Sequence, residues 1–268
     1  MVPKFTVLSS SKKYTKAAIY SKVNFVWILS LKNFKLRYKN SILGFFWSLL
    51  TPLLYLAIFT FIFSNAFPNI DNYPLYALTG LIFWNFFSSA SNTTILSVME
   101  SRGILKSIKV DTIALPMAEV LTSLINLVFS FIPFGILMVL FDAKIGFESL
   151  LIFPALALFA FFTLGIGIFI CAFNVYFRDV GFLYTSLTPA LFYFTPIAYT
   201  TAFIPEKFLF LIKLNPIYHF MVIFREILYY NNAPTSLQWL IIVVLTVVVF
   251  GVGYSTFKWL EKGFISNY

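Results

Sequence analysis

Charge is what this chain has least of. Asp, Glu, Lys and Arg make up 11% of its 268 residues, against about 25% in an average soluble domain. With a mean hydropathy of +0.89, that shortage excludes an ordinary water-soluble fold. Cysteine is nearly missing. Cys171 stands alone, which rules out an internal disulfide and a cysteine metal cluster and reads as a small apolar residue in a span. His219 is also alone, so no histidine pair sits at metal-ligand spacing, and no metal or catalytic residue is expected. The G-x-x-x-x-G-K-[ST] loop does not occur, so the chain has no nucleotide-hydrolysing motif of that kind. The alternating ten-residue pattern of a membrane barrel is missing too, which leaves helices to satisfy the backbone in lipid. No internal repeat of the inverted kind common in secondary transporters is visible. The first apolar run is too long for a signal peptide and lacks a small-residue cleavage site, so it is expected to stay in the mature protein.

What is present is organised around Phe25–Phe67. Trp27, Leu31, Phe34 and Tyr38 recur at steps of four, three and four, with Lys32, Lys35 and Lys39 beside them. That pattern predicts an amphipathic helix over 25–39 in the cytosolic interface, lysines toward anionic lipid. Residues 1–24 are expected to be mobile. Positions 40 to 70 then carry no charge, more than the roughly 20 apolar residues that cross a bilayer. Uncharged runs predict six spans, about 43–67, 74–98, 112–141, 149–177, 180–202 and 237–257. Pro52, Pro116, Pro133, Pro154, Pro189 and Pro196 fall inside them and predict kinks. The fold class expected is an all-α polytopic membrane protein in a single transmembrane domain, 25–268.

Lys and Arg set its orientation. With both termini cytosolic, fifteen of the nineteen lie on inner segments and four on outer ones, a strong positive-inside bias. The net charge of +9 is thus mostly topology, and no nucleic acid is expected as partner. Between the last two spans, 203–230 is apolar but broken by Lys207, Lys213, Asn215-Pro216 and Arg225-Glu226. Pieces this short predict two re-entrant helices turning at Asn215 and Pro216.

Few residues carry chemistry. Glu119 is the acid well inside an expected span, a functional candidate by default, with a salt bridge to a nearby Arg or Lys as the structural alternative. Arg178-Asp179 sits in a tight turn between two spans, as a gate, a partner contact or a helix-end ion pair. Residues 99–111, with Arg102, Lys106 and Lys109, predict a short amphipathic cytosolic helix or a solvated connection. Aromatics reach 21%. Phe83, Trp84, Phe87, Phe192, Tyr193 and Phe194 either pack against one another or stack on sugar rings. The polar run Ser88, Ser89, Ser91, Asn92, Thr93, Thr94 either bonds between helices or lines a wet conduit.

Four stretches in order resemble the permease subunits of bacterial ABC exporters for surface polysaccharides, the O-antigen, capsule and teichoic acid class. They are Arg37-Tyr38 through Leu43, Gly44, Trp47 and Pro52; Leu78-Thr79-Gly80 through Phe87; Asn174 through Arg178-Asp179; and Phe194-Thr195-Pro196-Ile197, Ile204-Pro205 and Asn215-Pro216. The resemblance implies a homodimer in the bacterial inner or plasma membrane, paired with two separate ATPase subunits that hold ATP and Mg2+. It implies that Lys32, Lys35, Arg37, Lys39, Arg102, Lys106 and Lys109 face the ATPase. Arg178, Asp179, Glu119, Asn215 and Pro216 would be gate or turn residues, and the six aromatics would line the path of a lipid-linked glycan. A permease of the same architecture for drugs or lipids is the alternative, and a membrane-embedded glycan-modifying enzyme a more distant one.

Overall fold

The computed structural model describes residues 11–44, 46–64, 70–107, 110–143 and 146–264, with side chains from Lys22 onward. The expectations that touch Lys109 and the first ten residues lie outside them. Every regular element among the described residues is helical: α1 (Ser11–Arg37), α2 (Phe46–Phe63), α3 (Tyr73–Glu100), α4 (Arg102–Ser107), α5 (Ala114–Leu140), α6 (Ile152–Tyr176), α7 (Asp179–Phe194), α8 (Leu209–Leu214), α9 (Pro216–Leu228) and α10 (Ser236–Leu260).

Four helical stretches are long and apolar enough to cross a membrane unaided: Phe46–Phe63, Ala114–Leu140, Phe147–Tyr176 and Ser236–Gly263. The bent pair Glu206–Leu214 and Pro216–Leu228, at 93° to each other, is a fifth candidate if counted as one broken span. This is fewer than the six runs expected, for two physical reasons. α3 is long enough, but its serine, asparagine and threonine run dilutes its apolar character. α7 has 16 residues, about 24 Å of helix, and stops at Phe194, short of the expected boundary at 202. The prolines fall at three kinds of position. Pro52, Pro133 and Pro189 lie within helices. Pro116 and Pro154 sit in first turns, where the missing N–H costs nothing, and Pro196 lies beyond the end of α7.

Local signals explain several helix starts. Asn215 caps α9 by accepting from the Ile217 N–H at 3.0 Å, with Pro216 at the first helical position, a favoured pair. Thr235 and Gln238 form a reciprocal capping box on α10. Around these starts the bundle closes on α3, which is buried along most of its length, as expected of a helix that is mainly apolar on every side. α9 lays Phe220 and Phe224 against it and α6. Phe83 stacks on Phe224 at 3.7 Å between centroids, and Phe159 and Phe162 lie 4.9 and 5.0 Å from Phe220.

Where helices must come close, glycine lets them. A Cβ on Gly165 of α6 would lie 2.7 Å from the Phe250 Cα of α10, and one on Gly253 would run into the Gly165 carbonyl. With no hydrophobic drive between helices in lipid, small-residue contacts of this kind hold them together.

The N-terminal helix differs most from expectation. It starts at Ser11, well before Phe25. Its C-terminal half does not cross the base of the bundle but runs lengthwise along α5, in the same direction. Lys22 pairs with Asp111, Thr122 donates to the Ser30 carbonyl, Phe34 stacks on Phe129, and the Tyr38 hydroxyl donates to Asn126. The face turned inward is Ser30, Asn33, Phe34 and Tyr38, rotated from the aromatic stripe read in the sequence. Trp27 is 49% exposed. Lys32, Lys35 and Lys39 are exposed along the free edge.

Candidate functional site: two chambers along one helix

The helical period of α3 sorts its polar run onto two sides. Asn85, Ser88, Ser89, Asn92 and Thr93 recur at steps of three and four and face a cavity of about 460 Å³. Ser123, Asn126 and Ser130 of α5, Ser48 and Thr51 of α2, and Arg37 and Tyr38 at the end of α1 complete its polar lining. Ser91 and Thr94 are buried on the other side. Ser91 donates to the Phe87 carbonyl at 2.7 Å, and Thr94 packs against Gly167 of α6. The buried half thus bonds within α3 rather than across to a neighbour, and the other half lines the cavity.

A second chamber of about 300 Å³ continues the first. It shares Asn85 and Ser88 with it and is lined by Tyr55 and Phe59 of α2, Trp84 of α3, and Phe192 and Tyr193 of α7. Phe192 lies 5.9 Å from Phe59 and 5.5 Å from Trp84. The joined walls change from hydroxyls and amides to aromatic faces from Ser48 and Thr51 toward Tyr55 and Phe59 along α2.

Of the six aromatics expected along this path, Trp84, Phe192 and Tyr193 line the second chamber. Phe83 and Phe87 do not. They are 0% and 1% exposed and point into the α6–α9 core, because positions 83 and 87 fall on the opposite face of α3 from 85 and 88. Phe194 is partly exposed outside the chamber's lining. Asn85 and Asn126 were missed as lining residues, and Tyr38 was read only as part of the aromatic stripe. An isolated asparagine in an apolar run gives no signal until helix pairing places it.

Glu119 is held by neutral Asn33, whose amide donates to it at 2.6 Å. The salt bridge weighed as the structural alternative for it is missing among the described residues. Arg178 and Asp179 are exposed and unpaired with each other. Asp179 opens α7, where an acid complements the helix dipole. Asn174 secures that turn instead, donating to the Ile95 carbonyl at 3.2 Å and accepting from the Gly181 N–H at 3.0 Å.

At one end of the bundle Asp111 receives two lysines, Lys22 of α1 at 2.8 Å and Lys258 of α10 at 3.0 Å, and Lys258 also meets Glu261 at 2.7 Å. Partial burial pushes the Asp111 carboxyl up, but the two ammonium groups outweigh it and hold it below the usual carboxylate value. A lowered folded-state pKa contributes stability that is complete above the unfolded value of about 3.9 and is lost as pH falls through the folded one. Acidification below about pH 4 is therefore expected to loosen α1 from α5 and α10. Asp111→Asn is expected to remove that acid-dependent step from hydrogen exchange of α1 while leaving the chambers protected.

At the opposite end an irregular strap, 195–199, is tied carbonyl by carbonyl. Arg225 of α9 donates to Pro196 O at 2.8 Å and Ile197 O at 2.5 Å; Tyr73 and Tyr76 of α3 donate to Ala198 O at 2.8 Å and Tyr199 O at 3.2 Å. Asn215 donates to the Thr195 hydroxyl at 2.8 Å. Asn215 and Pro216 thus form the corner between α8 and α9. The Arg225 guanidinium is 3.9 Å from the Tyr76 ring centroid and has no carboxylate partner among the described residues.

No cluster of three or more metal-ligating side chains occurs among the described residues. Long apolar helices around a polar-to-aromatic pair of chambers define a multi-pass helical membrane protein. The chain belongs to the ABC-2 type transporter family, which it matches over residues 24–229. It is 27% identical over 240 residues to the O-antigen export system permease protein RfbA of Klebsiella pneumoniae, covering 88% of this chain and 92% of that one. The Myxococcus xanthus protein of the same name is 26% identical over 231 residues, with 85% and 88% covered. The polysialic acid transport protein KpsM of Escherichia coli is 24% identical over 248 residues, with 89% and 94% covered.

Proposed function

We propose that this chain is the membrane-spanning permease subunit of an ATP-driven exporter of surface polysaccharide. It works as a homodimer with two separate ATPase subunits that bind ATP and Mg2+. The observation that carries the reading is the joined pair of chambers, hydroxyl- and amide-lined at one end and aromatic at the other. Neutral hydrogen-bonding groups suit sugar hydroxyls, and aromatic faces suit sugar rings.

In this reading α2, α3, α5, α6, α7 and α10 cross the membrane, and both termini are cytosolic. The lysine bias supports that orientation. So does the grouping of Lys22, Asp111 and Lys258 at one end and of Tyr73, Ala198, Asn231 and Gly146 at the other. The polar stripe that lowers the hydropathy of α3 faces the conduit rather than lipid. α8 and α9 dip into the outer leaflet and return, with their irregular backbone satisfied from within the protein. The α4 segment with Arg102 and Lys106, at the end of the bundle where Lys22 meets Asp111, forms the seat for the ATPase.

Deleting the gene and staining for surface glycan tests the function, and co-purification with the ATPase encoded beside it tests the assembly. Unchanged surface glycan, or export of a drug instead, overturns the reading. Charge reversal at Arg102 and Lys106 together is expected to lower ATPase coupling with the fold retained, measured as transport-linked ATP hydrolysis. Removing both Trp84 and Tyr193 side chains to Ala is expected to slow glycan export about tenfold, since two stacking surfaces contribute on the order of 0.5–1.5 kcal/mol each. Surface glycan appearing over time is the measurement.

A further inference from the structure

Among the described residues the larger chamber carries one fixed charge, that of Arg37 on its wall. It stands at the last turn of α1, with its Nη1 3.1 Å from the Ser89 hydroxyl, which lies 3.5 Å from the Ser123 hydroxyl. The side chain is exposed, and no acid lies within ion-pair distance of it among the described residues. Glu119, on the facing stretch of α5, is taken by Asn33. One hydroxyl contact leaves most of the five guanidinium donors available. Two further groups in the same lining are unsatisfied. Asn126 accepts from Tyr38 through Oδ1, while its Nδ2 has no partner, and Asn92 donates through Nδ2 to the Ser88 carbonyl, while its Oδ1 has none.

We propose that this chamber binds an oxyanion carried on a sugar, a phosphate or a carboxylate, with Arg37 reading the charge and the surrounding hydroxyls and amides reading the sugar. The inference rests on the chambers being the glycan path and names the feature of the glycan recognised there. A guanidinium fork matches the paired oxygens of a phosphate or carboxylate. A bare anion hole needs only donors. Here donors and acceptors are mixed, because the hydroxyls of Ser88, Ser89, Ser123 and Ser130 can each do both, and that mixture suits hydroxyl groups beside the anion. A volume of about 460 Å³ lies within the roughly 300–1,000 Å³ of small-ligand sites. Lys32 and Lys35, on the same helix, and Lys39, just beyond its end, are not part of the wall, so the charge inside is a property of Arg37 and not of the basic edge.

The test is equilibrium binding to the full chain in nanodiscs of phosphatidylcholine, read by tryptophan fluorescence, since Trp47 lies on the chamber wall. The probes are glucose 1-phosphate, glucuronate, methyl glucoside and inorganic phosphate. Glucose 1-phosphate or glucuronate is expected to bind about tenfold more tightly than methyl glucoside, the scale of one charge-assisted contact. Arg37→Gln is expected to bring that ratio near one, Arg37→Lys to leave part of it, and Lys207→Gln to leave it whole. Trp47→Phe, which removes the reporter, is expected to abolish the signal. Equal binding of charged and neutral sugars, or an unchanged ratio in Arg37→Gln, overturns the proposal. So does inorganic phosphate binding as tightly as the sugar phosphate. Competitive loss of sugar binding in discs containing phosphatidylglycerol assigns the anion to a lipid headgroup and overturns it too. Failure here with surface glycan still dependent on the gene leaves the export function standing; loss of that dependence removes the function itself.

Discussion

Arg225→Leu is expected to destabilise the bundle by about 3 kcal/mol, the cost of leaving two buried carbonyls without donors at roughly 1–3 kcal/mol each. Arg225 is 7% exposed and satisfies both Pro196 and Ile197. Burying a cation is costly in itself, so its removal gives something back. Leucine, however, cannot donate, and carbonyls at this depth have no water to turn to. The Tyr76 ring, now facing an alkyl group, loses its cation as well. At about 2–4 °C per kcal/mol for a chain of this size, the apparent melting temperature is expected to fall by roughly 6–12 °C, read by intrinsic fluorescence in detergent. Arg225→Lys is expected to lie between, because one ammonium reaches one carbonyl where the fork reaches two. Tyr76→Phe, which removes the donor to Tyr199 O alone, is expected to cost about 1 kcal/mol. A leucine variant as stable as the parent means that the strap is held by other groups.

Arg225 also shows where sequence reading stops. In the chain it is half of an Arg-Glu pair that interrupts an apolar run, and nothing nearby marks it as buried. Its partners are 28 and 29 positions away, and the tyrosines that complete the strap are over 120 positions from the carbonyls they serve. The elements themselves were legible, since uncharged length and period specify them locally. The all-helical class and the break at Asn215-Pro216 both come from such local patterns. The α3 polar run was legible as polar, but not which half of it faces the cavity, because that depends on the rotation of α3 against α5 and α6. Phe83 and Trp84 show the same limit. Adjacent positions on a helix lie 100° apart, so one enters the core and the other the chamber. The lengthwise course of α1 was hidden because Asn33 and Arg37 look like breaks beside an aromatic stripe, and Tyr38 like its last member, until Glu119, Ser89 and Asn126 are set opposite them.

The second large effect is expected at Gly253. Gly253→Leu is expected to part α10 from α6 and to cost 3 kcal/mol or more, beyond the roughly 1–3 kcal/mol of ordinary overpacking. The reason is what the new side chain meets. A Cβ there strikes the Gly165 carbonyl, and from the other side a Cβ on Gly165 would meet the Phe250 backbone 2.7 Å away. A flexible side chain steps aside, but two helix backbones in contact cannot, so the whole of α10 must move. Moving it opens the bond from the Thr246 hydroxyl to the Leu158 carbonyl and exposes Phe257, which is fully buried. Nothing in lipid pulls the helices back, because acyl chains solvate the separated faces as well as they solvate leucine. The same helix supplies its control. Gly251 has open space around it, so Gly251→Leu adds the same apolar mass to α10 at a site facing outward and is expected to leave stability within about 0.5 kcal/mol of the parent. The comparison is read as the yield of folded chain after extraction and as its melting temperature. If both leucine variants behave alike, the α6–α10 contact is not what holds α10 to the bundle. If Gly253→Leu alone collapses, the contact accounts for the absence of any larger residue at that crossing. Gly253→Ala then measures how far the backbones can part, since its single methyl carries the clash and nothing more.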